Sequence, residues 1–125
     1  MRVKLKDDWF YLAVDPSIMH EAGIYQWLIE GVGVYVGKAK VLRHRVRAYP
    51  NNVRKMIEGR PWHGNPKRDY REIHKALRKA YDNGTRITVT VLETCDPADR
   101  DRERHCIDIR RGEESRGGLP VLNST

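Results

Sequence analysis

Tyr25, Tyr35, Lys38, Arg45 and Glu103 are residue types that suit chemistry on a phosphate ester, and their spacing is informative. Tyr25 closes Gly23-Ile24-Tyr25. Ten residues on, Tyr35 opens Tyr35-Val36-Gly37-Lys38-Ala39-Lys40. Each tyrosine lies near the end of an apolar segment, and a cationic stretch follows at once. Gly37 permits a tight exit from a strand and a close approach of backbone to a ligand. Lys38 and Lys40 fall near the start of a helix, where free backbone N–H groups also favour anions. A tyrosine facing the core or an interface satisfies the same pattern, because tyrosine is a common strand residue.

The helix after Lys40 adds a guanidinium. Leu42, Val46 and Tyr49 share one helical face, and Arg45 flanks it. Arg43, His44 and Arg47 point elsewhere, towards solvent. An arginine at the edge of the core is placed either to grip a phosphate bidentately or to cover apolar surface with its stem. Glu103 precedes Cys106 by three residues and Ile107 by four, so it shares a face with apolar side chains. A carboxylate there needs a partner or a cation. A hard divalent ion such as Mg²⁺ takes one or two carboxylates, waters and a substrate phosphate. The competing reading is a salt bridge with Arg100, Arg102, Arg104 or Arg110. His74 lies among Tyr70, Ile73 and Leu77 and reads as a core histidine. His63 sits in the loop Arg60-Pro61-Trp62-His63-Gly64, the kind of segment in which substrate-contacting residues occur.

Charge localises the partner. The chain of 125 residues carries a net charge of +7. Between Lys38 and Arg60 there are eight Lys and Arg residues and one acid, Glu58. The remaining sixteen basic and sixteen acidic residues cancel. A concentrated patch of this kind attracts a polyanion and makes its binding salt-dependent. Lys38, Lys40, Arg43, Arg47, Arg54 and Lys55, together with His63, are the candidate contacts to a nucleic acid, and a solvated basic helix face carries the same charge pattern. The apolar runs fall short of the roughly 20 residues that span a membrane. The first eight residues lack the apolar block of a secretory signal. Cys95 and Cys106 form no CxxC pair, so a reducing, cytoplasmic compartment is expected.

These residues need a scaffold of limited size. Ile24 to Ile29 and Val32 to Val36 are strand-like runs joined through Glu30-Gly31, a hairpin in which Gly33 marks a bulge. Ile87 to Val91 alternates as a half-buried strand does. A first helix runs from Val41 to Tyr49, is interrupted by Pro50, and resumes over 53–58. A second starts at Asn65-Pro66 and stops at Asn83-Gly84, with Tyr70, Ile73, Leu77 and Tyr81 on its apolar face. A third runs from Asp96-Pro97 to Arg111. The order hairpin, helix, helix, strand, helix predicts one α+β domain over 1–125, a small antiparallel or mixed sheet flanked by about three helices.

The two tripeptides, with Lys38, Arg45, Tyr49, Glu103 and Asn123 in order, resemble the signature of the GIY-YIG nucleases. The set is most similar to the nuclease domain of bacterial excision-repair incision proteins. The resemblance covers about residues 22–123, with 1–21 as an N-terminal extension. It implies a metal-dependent endonuclease that hydrolyses DNA phosphodiester bonds on a small central sheet, with one Mg²⁺ (or Mn²⁺) held by Glu103. It implies Tyr35 as general base or water-positioning group, with Tyr25 its neighbour. It gives Arg45 to the pentacovalent phosphate, Lys38 to the phosphate or to Tyr35, Tyr49 to the catalytic set, and Asn123, the family's late asparagine, to DNA, the partner that the basic residues and His63 would also contact. Many members carry a histidine at the start of the second helix. This chain has Arg68-Asp69-Tyr70-Arg71 there, leaving His63 or His74 as substitutes. A minimal domain of this kind needs a protein partner, forms a homodimer, or has weak sequence preference. The alternative reading is a module that binds nucleic acid without cutting it, and a third is a scaffold whose basic patch meets an acidic protein.

Overall fold

A computed structural model of the chain describes residues 3–124. Four strands form one sheet: β1 (Tyr11–Leu12), β2 (Gly23–Ile29), β3 (Gly33–Ala39) and β4 (Ile87–Thr94). Three helices flank it: α1 (Leu42–Ile57), α2 (Glu72–Asn83) and α3 (Arg102–Ser115). The strand order is β1-β4-β2-β3. β1 runs parallel to β4 and the other pairs are antiparallel, so the sheet is mixed and the class α+β, as the element order predicts. Among the described residues no helix is long and apolar enough to cross a membrane.

The period of two along β2 divides the core. Tyr25, Trp27 and Ile29 pack with Leu42, Val46, Tyr49 and Val53 of α1 and Ile73 and Leu77 of α2. Ile24 and Val36 point to the other face, against Cys106 and Ile107 of α3. The N-terminal extension joins the same body: Trp9 and Phe10 lie against Trp27, with ring centroids 6.4 and 5.3 Å away.

Several element boundaries differ from those read in the sequence: β3, β4 and α3 run on to Ala39, Thr94 and Ser115, and three helix boundaries have a local cause. Helix α1 runs through Pro50 without a break. The proline removes one helical hydrogen bond, a cost of about 3 kcal/mol. The buried residues Val46, Tyr49 and Val53 lie on both sides of it. Burying such side chains contributes about 1.5–3 kcal/mol each, so packing outweighs the break. Helix α2 starts at Glu72 rather than Pro66, because Asn65 and Asp69 spend their side chains on turns. Asn65 Oδ1 accepts from the Lys67 N–H (3.0 Å) and Asp69 Oδ1 from the Tyr70 N–H (2.8 Å). The start of α3 is delayed in the same way. Asp96 accepts from the Ala98 N–H and Asp99 from the Asp101 N–H. The stop at Gly84 is as read, in the left-handed conformation at φ 68°.

Gly33 marks no bulge. Its register with Ile29 is regular, and the irregularity lies at Ile24/Tyr25 in the pairing with β4. Gly33 is instead where the C-terminal tail crosses: a Cβ there would stand 2.6 Å from the Pro120 carbonyl oxygen. The tail bonds along β3 through Pro120 and Leu122, and Asn123 completes the seal. Asn123 Oδ1 accepts from the Val36 N–H (3.0 Å), while its Nδ2 donates to the Val36 carbonyl (2.7 Å).

Candidate functional site

Two stretches far apart in sequence, 38–48 and 97–103, meet at one groove of about 660 Å³. The end of β3 supplies Lys38, with Lys40 just beyond it; α1 supplies His44 and Arg45; the α3 side supplies Pro97 and Glu103. Lys38 is positioned by the turn that delays α3: its Nζ donates to the Asp99 carbonyl at 2.6 Å. Glu103 is half-buried and makes no ion pair among the described residues. Its neighbours have other partners. Arg102 binds Glu93 with two bonds of 2.7 and 2.8 Å, Arg104 lies 3.6 Å from Asp108, and Arg110 reaches Glu113 and Gln26. The salt-bridge reading of Glu103 therefore falls away. A single carboxylate faces three cations, and no group of three or more His, Cys, Asp or Glu that could hold a metal occurs among the described residues. One carboxylate with open positions matches the way Mg²⁺ binds beside a phosphate.

Behind the groove lies a set of buried phenols. The hydroxyls of Tyr25 and Tyr49 are 2.5 Å apart, and both side chains are almost wholly buried. Burial pushes the pKa of each upward, so both are neutral phenols at pH 7. Arg45 lies against the Tyr25 hydroxyl, within electrostatic reach of Tyr49 and Tyr35, and remains fully charged. The Tyr25 hydroxyl thus braces the guanidinium of a residue that lines the groove.

Tyr35 is on the same face of the sheet, its ring centroid 6.4 Å from that of Tyr49, but its hydroxyl does not line this groove. It lies in a neighbouring depression with Tyr70, Arg71 and Leu122, where it accepts a hydrogen bond from Arg71. No spacing pointed to Arg71, which is 36 residues away in sequence.

No family model, curated protein or solved structure matches this chain.

The remaining expected contacts separate into two groups. Arg43 and Arg47 are exposed on α1, on the side of the helix turned away from His44, Arg45 and Ala48, which line the groove. Arg54 and Lys55 sit at the far end of that helix. Nine residues at 1.5 Å per residue put Arg54 about 14 Å along the axis from Arg45. Arg54 also bonds the Glu58 carboxylate (3.1 Å), as does Arg60 (3.0 Å). A hydrogen bond from the Val3 N–H, with these two arginines, holds the Glu58 carboxyl below its usual range. The one acid of the basic segment is thus shared by Arg54 and Arg60, a pairing that linear counting does not reveal. Asn123 bonds backbone, as described above. The start of α1 is not an open anion site: the Leu42 and Arg43 N–H groups donate to the carbonyls of Glu21 (2.9 Å) and Met19 (2.7 Å). His63 is exposed in the loop before α2, and His74 is a buried residue whose Nε2 lies 3.2 Å from Asn52 Nδ2. His44, read from the sequence as a solvated residue, is the histidine on the groove wall.

Proposed function

We propose that this protein is a Mg²⁺-dependent endonuclease that hydrolyses a phosphodiester bond of DNA in the groove between β3, α1 and α3. One observation carries the reading: Glu103, unpaired among the described residues, shares that groove with Lys38, Lys40 and Arg45. A diester phosphate is singly negative and gains charge in its transition state. Fixed cations aimed at it stabilise that charge most where water is displaced. Arg45, braced by Tyr25, holds the non-bridging oxygens as the phosphorus becomes five-coordinate. Lys38, tied to Asp99, and Lys40 fix the backbone on either side.

Glu103 holds the metal, which when bound supplies charge neutralisation at the leaving oxygen. Tyr25 and Tyr49 are kept protonated by burial and so accept nothing from the attacking water. That proton passes to the groove wall, where His44 is of the residue type that exchanges protons near neutral pH. Tyr35, beside Arg71, is the base that the family resemblance implies, and it is the alternative to His44.

The test is nicking of supercoiled plasmid at low salt with Mg²⁺, Mn²⁺ or EDTA, alongside DNA binding by the same protein. The expected result is metal-dependent nicking that Glu103→Ala abolishes while leaving binding within a few-fold. Salt-sensitive binding without nicking by the folded wild type overturns the enzyme reading in favour of a non-cleaving nucleic-acid module.

A further inference from the structure

The loop between α1 and α2 places aromatic rings among cations, outside the groove. Trp62 and Tyr70 are near parallel, with centroids 6.1 Å apart and planes at 21°. His63 continues the run, 4.7 Å from Trp62 and inclined by 30°. The Arg68 guanidinium carbon stands 5.5 Å from the Trp62 ring. Tyr70 is buried and Trp62 half-buried, while His63 is exposed at the outer end.

His63 is also the one described non-glycine residue with positive φ, at 53°. That conformation is strained for a side-chain-bearing residue and persists only where its surroundings impose it. Here they do. The Gly64 N–H donates to the Pro61 carbonyl, the Asn65 N–H to the Trp62 carbonyl (both 3.1 Å), and the Tyr70 hydroxyl to the Arg60 carbonyl (2.7 Å). The loop is a built support for an outward ring.

Its charge is complementary to phosphate. Residues 59–71 hold Arg60, Lys67, Arg68 and Arg71 against Asp69, and Asp69 is engaged by Lys75 of α2 at 2.6 Å. Lys67 and Arg68 make no ion pair among the described residues. At the far end of the loop Arg71 reaches Tyr35, linking it to the sheet.

We propose that this loop takes an unpaired nucleotide, with the base on the His63 ring and its phosphates on Lys67 and Arg68. The inference rests on the nuclease reading and narrows its substrate to DNA with a single-stranded segment near the scissile bond. Bases inside a duplex are already stacked on one another and offer no free face to a ring. An unpaired base does, and ring stacking flanked by cations is how single strands are held irrespective of sequence.

The experiment measures anisotropy of labelled dT15 and of a 15-base-pair hairpin duplex, in EDTA at low salt, for wild type, H63G and H63Y. Glycine accepts the positive φ, so H63G removes the ring without straining the loop. Stacking contributes about 1–3 kcal/mol per base, so H63G is expected to weaken dT15 binding by about 5- to 150-fold. Duplex binding should change by less than about twofold, and H63Y should retain dT15 affinity. H63G that binds dT15 like wild type, or loses dT15 and duplex equally, overturns the loop's role. Wild type that nicks plasmid under either of those results leaves the nuclease reading standing. Wild type that binds neither nucleic acid overturns both.

Discussion

The phenol of Tyr25 fills the space that a side chain at Gly37 would need. The two residues are direct partners across β2 and β3, and a Cβ built on Gly37 would fall on the hydroxyl end of the Tyr25 ring. The glycine of the second tripeptide is therefore the seat for the tyrosine of the first. The sequence reading gave Gly37 to a strand exit and a ligand; it lies within β3 and makes room for a neighbour. Gly37→Ala is expected to destabilise the fold by about 1–3 kcal/mol through overpacking. Adding Tyr25→Ala should recover part of that loss in a double-mutant cycle by denaturant unfolding. Strict additivity of the two substitutions would refute the steric coupling.

Arg45 is expected to act on the transition state rather than on binding alone. Removing a preorganised donor of this kind lowers turnover by about 10²–10³-fold. Arg45→Ala should therefore reduce single-turnover nicking by that order while DNA affinity falls only a few-fold. Arg45→Lys should not restore the rate, because an ammonium lacks the guanidinium's planar fork. Equal losses in affinity and rate would make Arg45 a simple docking contact.

His44 and Tyr35 compete for the role of base, and paired variants separate them. Loss of a general base costs about 10²–10⁴-fold. His44→Gln is expected to fall in that range. Tyr35→Phe should lose less than about tenfold, because its hydroxyl opens to a different depression. The reverse ranking would return the role to the tyrosine.

Stability should fall in mild acid because of His74. Its pKa is pushed down to about 4 by burial first, then by the charges of Arg71, Arg45 and His63. The folded value lies below the unfolded value of 6.5, so the unfolded chain takes up the proton first. The stabilisation is complete above pH 6.5 and is lost as pH falls towards 4. Glu58 and Asp69 are both held below their ordinary values, Glu58 first by the Val3 N–H and Asp69 first by Lys75. His74→Phe should narrow the difference in denaturant midpoint between pH 7.5 and pH 5. An unchanged difference would remove His74 as the cause.

Asn123 closes the open edge of β3 with its side chain. Asn123→Ala removes both bonds to Val36, each contributing about 0.5–1.5 kcal/mol. Faster amide exchange at Val36, with nicking intact, is the expected outcome. Loss of nicking without faster exchange would give this residue a role at the site.

The strands and the two core faces were legible because β2, β3 and β4 carry strong apolar patterns, and the Asn83-Gly84 stop depends on a local backbone preference. Helix starts were less legible. Asn65, Asp69, Asp96 and Asp99 can serve either a helix cap or a turn, and only the surroundings decide which. The same holds for Pro50, whose local penalty is visible in the chain while the packing that overrides it is not.

The sequence by itself determined the residue types at the site, their order, and a net positive charge concentrated between Lys38 and Arg60. Tertiary structure decided which of those charges are available and what they face. It engaged Arg54 and Arg60 on the one carboxylate of Glu58, left Glu103 without a salt bridge among the described residues, brought His44 and Arg45 into its groove, and turned Tyr35 towards Arg71. The reason is physical. Charge and side-chain chemistry belong to single residues and can be read one at a time. Burial, hydrogen bonding and electrostatic pairing belong to pairs of residues, and folding chooses the pairs.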